Sequence, residues 1–235
     1  KKDYRCIALD LPGYGKSSKG DYPFDMTFFA KTVRDFIVKS DLKKVILVGH
    51  SMGGQIAVHT VLNNSENIEK LILVAPAGFE VFTEEETALL QNFYTASVLK
   101  ATPEAQIVKN FHQNFHAFPE DAQFMIDDRL LMRQTAEYEH YCNMIPRCVM
   151  GMLNEPVFER LSEIHLPTLI LFGENDSLIP NKFLHPSFTT HKVGKIGLDL
   201  IPKSELIMIP KAGHFVQWEQ AGRVNASALN FLNKD

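Results

Sequence analysis

The stretch VILVGHSMGGQIAVHT, residues 45–60, decides how this chain is read. A short apolar run ends in a glycine-rich cluster that encloses one serine, and a segment of helical composition follows at once. Two physical readings compete for Ser51. A serine that opens a helix is a favoured N-cap, its hydroxyl accepting a backbone N–H of the first turn. On a sharp strand-to-helix turn the same hydroxyl is instead pushed out above the sheet, where backbone N–H groups and the positive helix end converge. The spacing Gly49-His50-Ser51-Met52-Gly53 is weak evidence by itself, since roughly 0.08 chance matches to G-x-S-x-G are expected in a chain this long at average composition. Its setting carries the weight. An apolar run stands directly before it and a helical pattern directly after, and Gly49, Gly53 and Gly54 are small where strand and helix must approach closely.

Outward from this point, five short apolar runs read as buried strands: RCIALD (5–10), KVILVG (44–49), KLILVA (70–75), TLILFG (168–173) and ELIMIP (205–210). Their apolar character is continuous rather than alternating, which suggests strands covered on both faces of a parallel sheet. Helical patterns lie between them. Residues 26–39 place Phe29, Val33, Phe36 and Ile37 on one stripe, 53–64 follow the serine, and 221–233 close the chain. Strands alternating with helices give an α/β fold.

Residues 80–165 break the alternation, with no convincing strand. Thr83 and Glu86 have the spacing of a capping box before ETALLQNFYTASVLK, Pro103 suits a helix start, and Pro119 or Glu120 opens a third helix. A fourth helix is expected over 134–153. The expected organisation is a core over 1–79, a helical block over 80–165 and the rest of the core over 166–235. Within 181–204 one helix is expected from Thr189 or Thr190, and His185 and His191 read as solvated loop positions.

A serine hydroxyl needs a base to act as a nucleophile at neutral pH. His214, in IPKAGHFVQWE, lies on a loop just past the last apolar run. A histidine so used needs an acid to fix its tautomer. Asp176, in GENDSLIP, follows the run TLILFG, and Glu174 is the fallback. All these residues fall at the C-terminal ends of expected strands, where open parallel sheets place their sites.

DLPGYGKS (10–17), GHSMGG (49–54), GENDSLIP (173–180) and AGHFVQWE (212–219) together resemble the α/β-hydrolase superfamily. The resemblance implies a mostly parallel sheet with the helical block as a cap, and the chain order Ser51, Asp176, His214 for nucleophile, acid and base. A serine at 51 weighs against the dehalogenase and epoxide-hydrolase branches, which carry aspartate there. The resemblance also implies strands ahead of RCIALD and a loop supplying a second oxyanion donor. Neither is found, so the N-terminal strands are expected to be missing and the chain to be part of a longer or cleaved protein. The Met52 N–H is then the one oxyanion donor that can be named.

Composition narrows the function. Of 235 residues, 45% are hydrophobic and 22% charged, and the net charge is −4. No basic stripe suggests a nucleic-acid partner, and no apolar run reaches the roughly 20 residues of a membrane span. The odd set Cys6, Cys142 and Cys148 suggests reduced thiols and a cytoplasmic location. The expected reaction is hydrolysis of a carboxylic ester of a small or medium, partly apolar substrate, with no metal or organic cofactor. Aromatic and methionine residues of the helical block, from Phe93 and Tyr94 to Met144 and Met150, supply candidates for the pocket wall. His50, Phe215, Tyr138 and Tyr141 are the substrate-binding candidates. One alternative is carbon–carbon hydrolysis, because cleavage-product hydrolases of the superfamily carry a stretch similar to His214-Phe215-Val216-Gln217-Trp218-Glu219. Arg133 and Arg147 are the cations available for a substrate carboxylate, though surface positions suit both. A non-catalytic binding protein on the same fold is the other alternative.

Overall fold

In the computed structural model, which describes residues 4–234, four parallel strands form one sheet in the order β1-β2-β3-β4. They are β1 Val45–His50, β2 Ile68–Val74, β3 Thr168–Gly173 and β4 Ser204–Ile209. Alternate side chains enter separate cores, which is why the runs read as continuously apolar. Leu71, Leu73, Ile170 and Phe172 pack on one face, and Ile72, Val74, Leu169 and Leu171 on the other.

Helix α1 (Met26–Lys39) starts where the Asp25 carboxylate accepts the Phe28 N–H at 2.7 Å, and it buries Phe29 and Ile37. Helix α2 (Met52–Asn63) follows β1 directly and is buried along most of its length. Between β2 and β3 the described residues are helical or irregular. This insert comprises α3 (Glu84–Phe93), α4 (Ala96–Ala101), α5 (Glu104–His112), α6 (Gln123–Met132) and α7 (Glu137–Asn154), with 3-10 turns at Glu120–Ala122 and Phe158–Glu163. The capping box forms, Thr83 and Glu86 each accepting the other's backbone N–H. The helix it starts ends at Phe93, however. Thr95 caps a new helix by accepting from Val98 N–H, so the expected single helix is two.

Beyond β3 come α8 (Thr190–Leu200, capped by Thr189), α9 (Val216–Glu219) and α10 (Ala221–Leu232). Helices α1, α2 and α8 cover one sheet face and α10 the other. Met144 and Cys148 of α7 join Phe24, Met26, Phe29 and Ile56 in a further core, so the insert is packed onto α1 and α2. Gln55 and His59 of α2 fasten its end, both donating to the Glu155 carbonyl at 2.9 Å. Among the described residues no helix is long and apolar enough to cross a membrane.

One expected strand is not formed. Residues 5–10 are irregular and exposed at every position, and β1 is an edge strand among the described residues. A strand exists only as one side of a hydrogen-bonded ladder, and apolar composition does not supply the partner.

Candidate active site

Ser51 sits between β1 and α2 with φ 54° and ψ −121°, a region that side chains avoid. The backbone is pinned there. Ser51 N–H donates to Val74 O at 3.0 Å, and Ser51 O accepts from Gly54 N–H at 2.8 Å and Ala77 N–H at 3.0 Å. Close approach explains two glycines. A Cβ on Gly49 would stand 2.2 Å from Gly53 O, and one on Gly54 would stand 2.7 Å from Pro76 Cβ. Gly53 departs from the sequence expectation, since a Cβ there would meet nothing within 4 Å. The Ser51 side chain makes no capping hydrogen bond, so the N-cap reading is not the one the turn adopts. Met52 is the first residue of α2, and its N–H has no backbone acceptor among the described residues.

Asp176 and His214 meet on the loops after β3 and β4. His214 Nδ1 donates to Asp176 Oδ2 at 2.8 Å, and both side chains are almost fully buried. The other carboxylate oxygen accepts Leu178 N–H at 2.8 Å and Ile179 N–H at 3.0 Å. Asp176 is thus held from both sides with its charge-bearing oxygens satisfied. Glu174, the fallback acid, is exposed, and the carboxylate bonded to the histidine is that of Asp176. Ser51 and His214 line one cavity of about 510 Å³. No hydrogen bond joins them among the described residues.

The cavity wall is mostly apolar. Pro76, Ala77, Gly78 and Val81 come from the segment after β2, Leu90 and Tyr94 from the start of the insert, and Val149, Met152 and Leu153 from α7. Of the aromatic and methionine candidates in the helical block, Tyr94 reaches this wall. The charged lining residues are Glu80 and Lys182. Each is already engaged: Glu80 accepts Asn181 N–H and contacts His185, and Lys182 Nζ donates to Phe188 O at 2.6 Å. Phe93 and Phe183 face each other edge-on at 6.2 Å, and both are exposed; Phe183 also lines the cavity.

The four substrate-binding candidates do not line this cavity. His50 Nε2–H donates to the His214 carbonyl at 2.9 Å. Burial, with the neighbouring His214 imidazole, pushes its pKa down to about 4, which keeps it neutral, and the carbonyl acceptor calls for the Nε2–H tautomer. Phe215 stacks on Phe115 at 5.2 Å. Tyr138 donates to Leu99 O at 2.9 Å, and Tyr141 stacks on Tyr138 beneath the Arg129 guanidinium. Each ring is used to hold the structure together. Arg147 pairs with Asp21 and Arg133 lies 3.8 Å from Glu104, both away from the cavity lining. His191 is exposed as expected, though on helix α8 rather than a loop, and His185 is not a solvated loop residue: it sits between the carboxylates of Glu80 and Glu86. Sequence reasoning also missed Gln55, a buried glutamine in the cavity wall, whose position one turn into α2 was the available signal.

Comparison with known proteins agrees with this architecture. A curated relative from Paraburkholderia phymatum, a 2-hydroxy-6-oxononadienedioate/2-hydroxy-6-oxononatrienedioate hydrolase, is 28% identical across 98% of this chain and 77% of its own length. A probable hydrolytic enzyme from Pseudomonas aeruginosa superposes with a TM-score of 0.79 at 21% identity, over 96% of this chain and 75% of the other. An esterase from Exiguobacterium antarcticum superposes with a TM-score of 0.76 at 21% identity, over 96% and 80%. The family model described as alpha/beta hydrolase fold matches residues 1–221. The chain belongs to the α/β-hydrolase fold family.

Proposed function

We propose that the protein is a serine hydrolase that cleaves carboxylic esters of small or medium, partly apolar substrates. Ser51 is the nucleophile, His214 the base and Asp176 the orienting acid. The observation that carries the reading is the pair of facts at one cavity: a serine held at φ 54° with its hydroxyl uncommitted, and a histidine whose far nitrogen is bonded to a buried carboxylate. His214 Nε2 takes the Ser51 proton as Oγ attacks the ester carbonyl. The Met52 N–H, at the positive end of α2, stabilises the oxyanion. The protonated His214 gives its proton to the leaving alcohol, then activates water to release the acid. Asp176 holds Nδ1 protonated throughout, so that Nε2 is free to accept.

The apolar wall and the engaged state of Glu80 and Lys182 support an uncharged acyl group. Phe93 and Phe183 would extend the apolar surface beyond the mouth for a longer tail.

A second reading is carbon–carbon hydrolysis, favoured by the activity for which the Paraburkholderia relative is named and by the similar stretch around His214. Against it stands the cavity's charge, because a dicarboxylate would find Lys182 as its cation and Glu80 opposing it. Assay of the purified protein on aryl esters and on a ring-cleavage dienedioate separates the two. Turnover of the esters, lost in Ser51→Ala, is the expected result. Turnover of the dienedioate alone would replace the ester reading with the second.

A further inference from the structure

The stretch GHFVQWE ends in a carboxylate whose contacts the proposed chemistry leaves unused. Glu219 closes the short helix α9, five residues beyond His214. An acid at a helix end is ordinarily solvated, but this one is fully engaged. Oε2 accepts the Gly213 N–H at 2.6 Å and the His116 N–H at 3.1 Å, and Oε1 accepts the Ala117 N–H at 2.9 Å. One carboxylate therefore joins the residue just before His214 to a segment of the helical insert about a hundred positions away in sequence. Bonds from N–H groups to an ionised carboxylate are roughly twice as strong as neutral ones.

The surroundings make this a joint rather than a chance contact. Gly213 runs against the insert backbone so closely that a Cβ would stand 2.7 Å from both His116 N and Phe115 C. On the other side of His214, the Phe215 N–H donates to Asn114 O at 3.0 Å. The N–H groups flanking His214 are thus both fastened to the insert, one through Glu219 and one directly. The His214 carbonyl is held by His50 and its ring by Asp176.

We infer that Glu219 is a positioning residue for His214, fixing the histidine loop by tying it to residues 114–117 of the insert. It touches neither substrate nor reacting atoms. Removing it frees the Gly213, His116 and Ala117 N–H groups together, and the loop carrying His214 loses its register against the Ser51 turn. The inference rests on the proposed roles of Ser51 and His214.

The test uses the full chain, a fluorophosphonate probe and an aryl ester, at a temperature well below unfolding. Labelling of Ser51 needs a correctly placed base, so its rate constant per folded molecule reports the position of His214. Glu219→Ala is expected to lower both that rate constant and kcat by about 10- to 100-fold, with KM within about twofold. Glu219→Gln retains the shape and one acceptor oxygen, and should recover part of the loss. Trp218→Phe is the control. It deletes the 2.9 Å bond from Trp218 Nε1 to Asp121, another tie between α9 and the insert, while leaving the backbone bond from Trp218 N–H to Phe215 O in place, and should react at the wild-type rate. A folded Glu219→Ala protein that labels at the wild-type rate, or that changes KM alone, overturns the inference. So does an equal loss in Trp218→Phe. If Glu219→Ala does not fold, Glu219→Gln decides, and wild-type labelling there refutes the role. Wild-type protein that is not labelled at all overturns the nucleophile reading beneath the inference, a failure distinct from any of these.

Discussion

Ser51→Gly is expected to make the protein inactive and more stable. At φ 54° and ψ −121° the serine occupies backbone space that only glycine enters freely. Such a residue costs of the order of 1–3 kcal/mol, sustained by its surroundings. Here the surroundings are the bonds from Ser51 N–H to Val74 O and from Gly54 and Ala77 N–H to Ser51 O. Glycine removes the strain but loses roughly 0.5–1 kcal/mol to the greater freedom of the unfolded chain. The side chain makes no capping bond, so its deletion adds little. The balance is a gain of about 1 kcal/mol, or about 2–4 °C in melting temperature for a chain of this size. Ser51→Ala is the reference, because it removes the hydroxyl and keeps the strain. Scanning calorimetry on the two variants gives the difference directly, with aryl-ester turnover measured alongside. A glycine variant that melts at or below the alanine variant would refute the claim that this turn stores strain for the sake of its hydroxyl.

Three further outcomes follow from the same geometry. Asp176→Asn should cut kcat by about 10³- to 10⁴-fold with little change in melting temperature, since the amide oxygen can still accept Leu178 and Ile179 N–H while the amide nitrogen turns His214 to the wrong tautomer; unaltered turnover would dismiss the acid's role. Gly54→Ala should destabilise by about 1–3 kcal/mol in urea unfolding, its Cβ meeting the Pro76 backbone at 2.9 Å, whereas Gly53→Ala is neutral or stabilising by up to about 1 kcal/mol. His185 offers a pH test. Burial alone would lower its pKa, but the hydrogen bonds and charges of Glu80 and Glu86 outweigh that and raise it. A raised native pKa contributes stability that is complete below the ordinary histidine value near 6.5 and is lost as pH climbs through the native one. The melting-temperature advantage of wild type over His185→Gln, worth up to about 1 kcal/mol, should therefore be largest on the acid side and shrink as pH rises; an advantage that grows with pH would contradict the ion-pair assignment.

What the sequence carried and what it withheld divide along a physical line. The runs at 70–75 and 168–173 became strands buried on both faces, which leaves a local signature in composition, and the half-buried runs at 44–49 and 205–210 carry the same signature. Helix α1 was legible from its apolar stripe, and the start of α8 from Thr189, whose side chain bonds to the turn it precedes. That Ser51, Asp176 and His214 would come to one end of the sheet was legible because each follows closely on a run read as a strand. RCIALD has the same composition as its neighbours, yet pairing depends on residues elsewhere, so composition could not show its exposed course. The cavity wall was illegible for a similar reason. Which side of α7 faces Ser51 is fixed by Met144 and Cys148 packing on α1 and α2, so Met152 lines the cavity while Tyr138 and Tyr141 turn to other work. His50 was misread because its partner is a backbone carbonyl, which no residue type announces.

The pairing of β2 with β3 sets an order on how the polypeptide must acquire its shape. Leu71 aligns with Thr168, although the whole helical insert separates them along the chain. Bringing distant ends together costs entropy that contacts repay only after closure, and such pairings are slow. Helices of the insert are local and can form while that seam is still open, shortening the effective span to be closed. Refolding should then gain helical signal early and native reactivity late, with catalysis arriving as the last property the chain acquires.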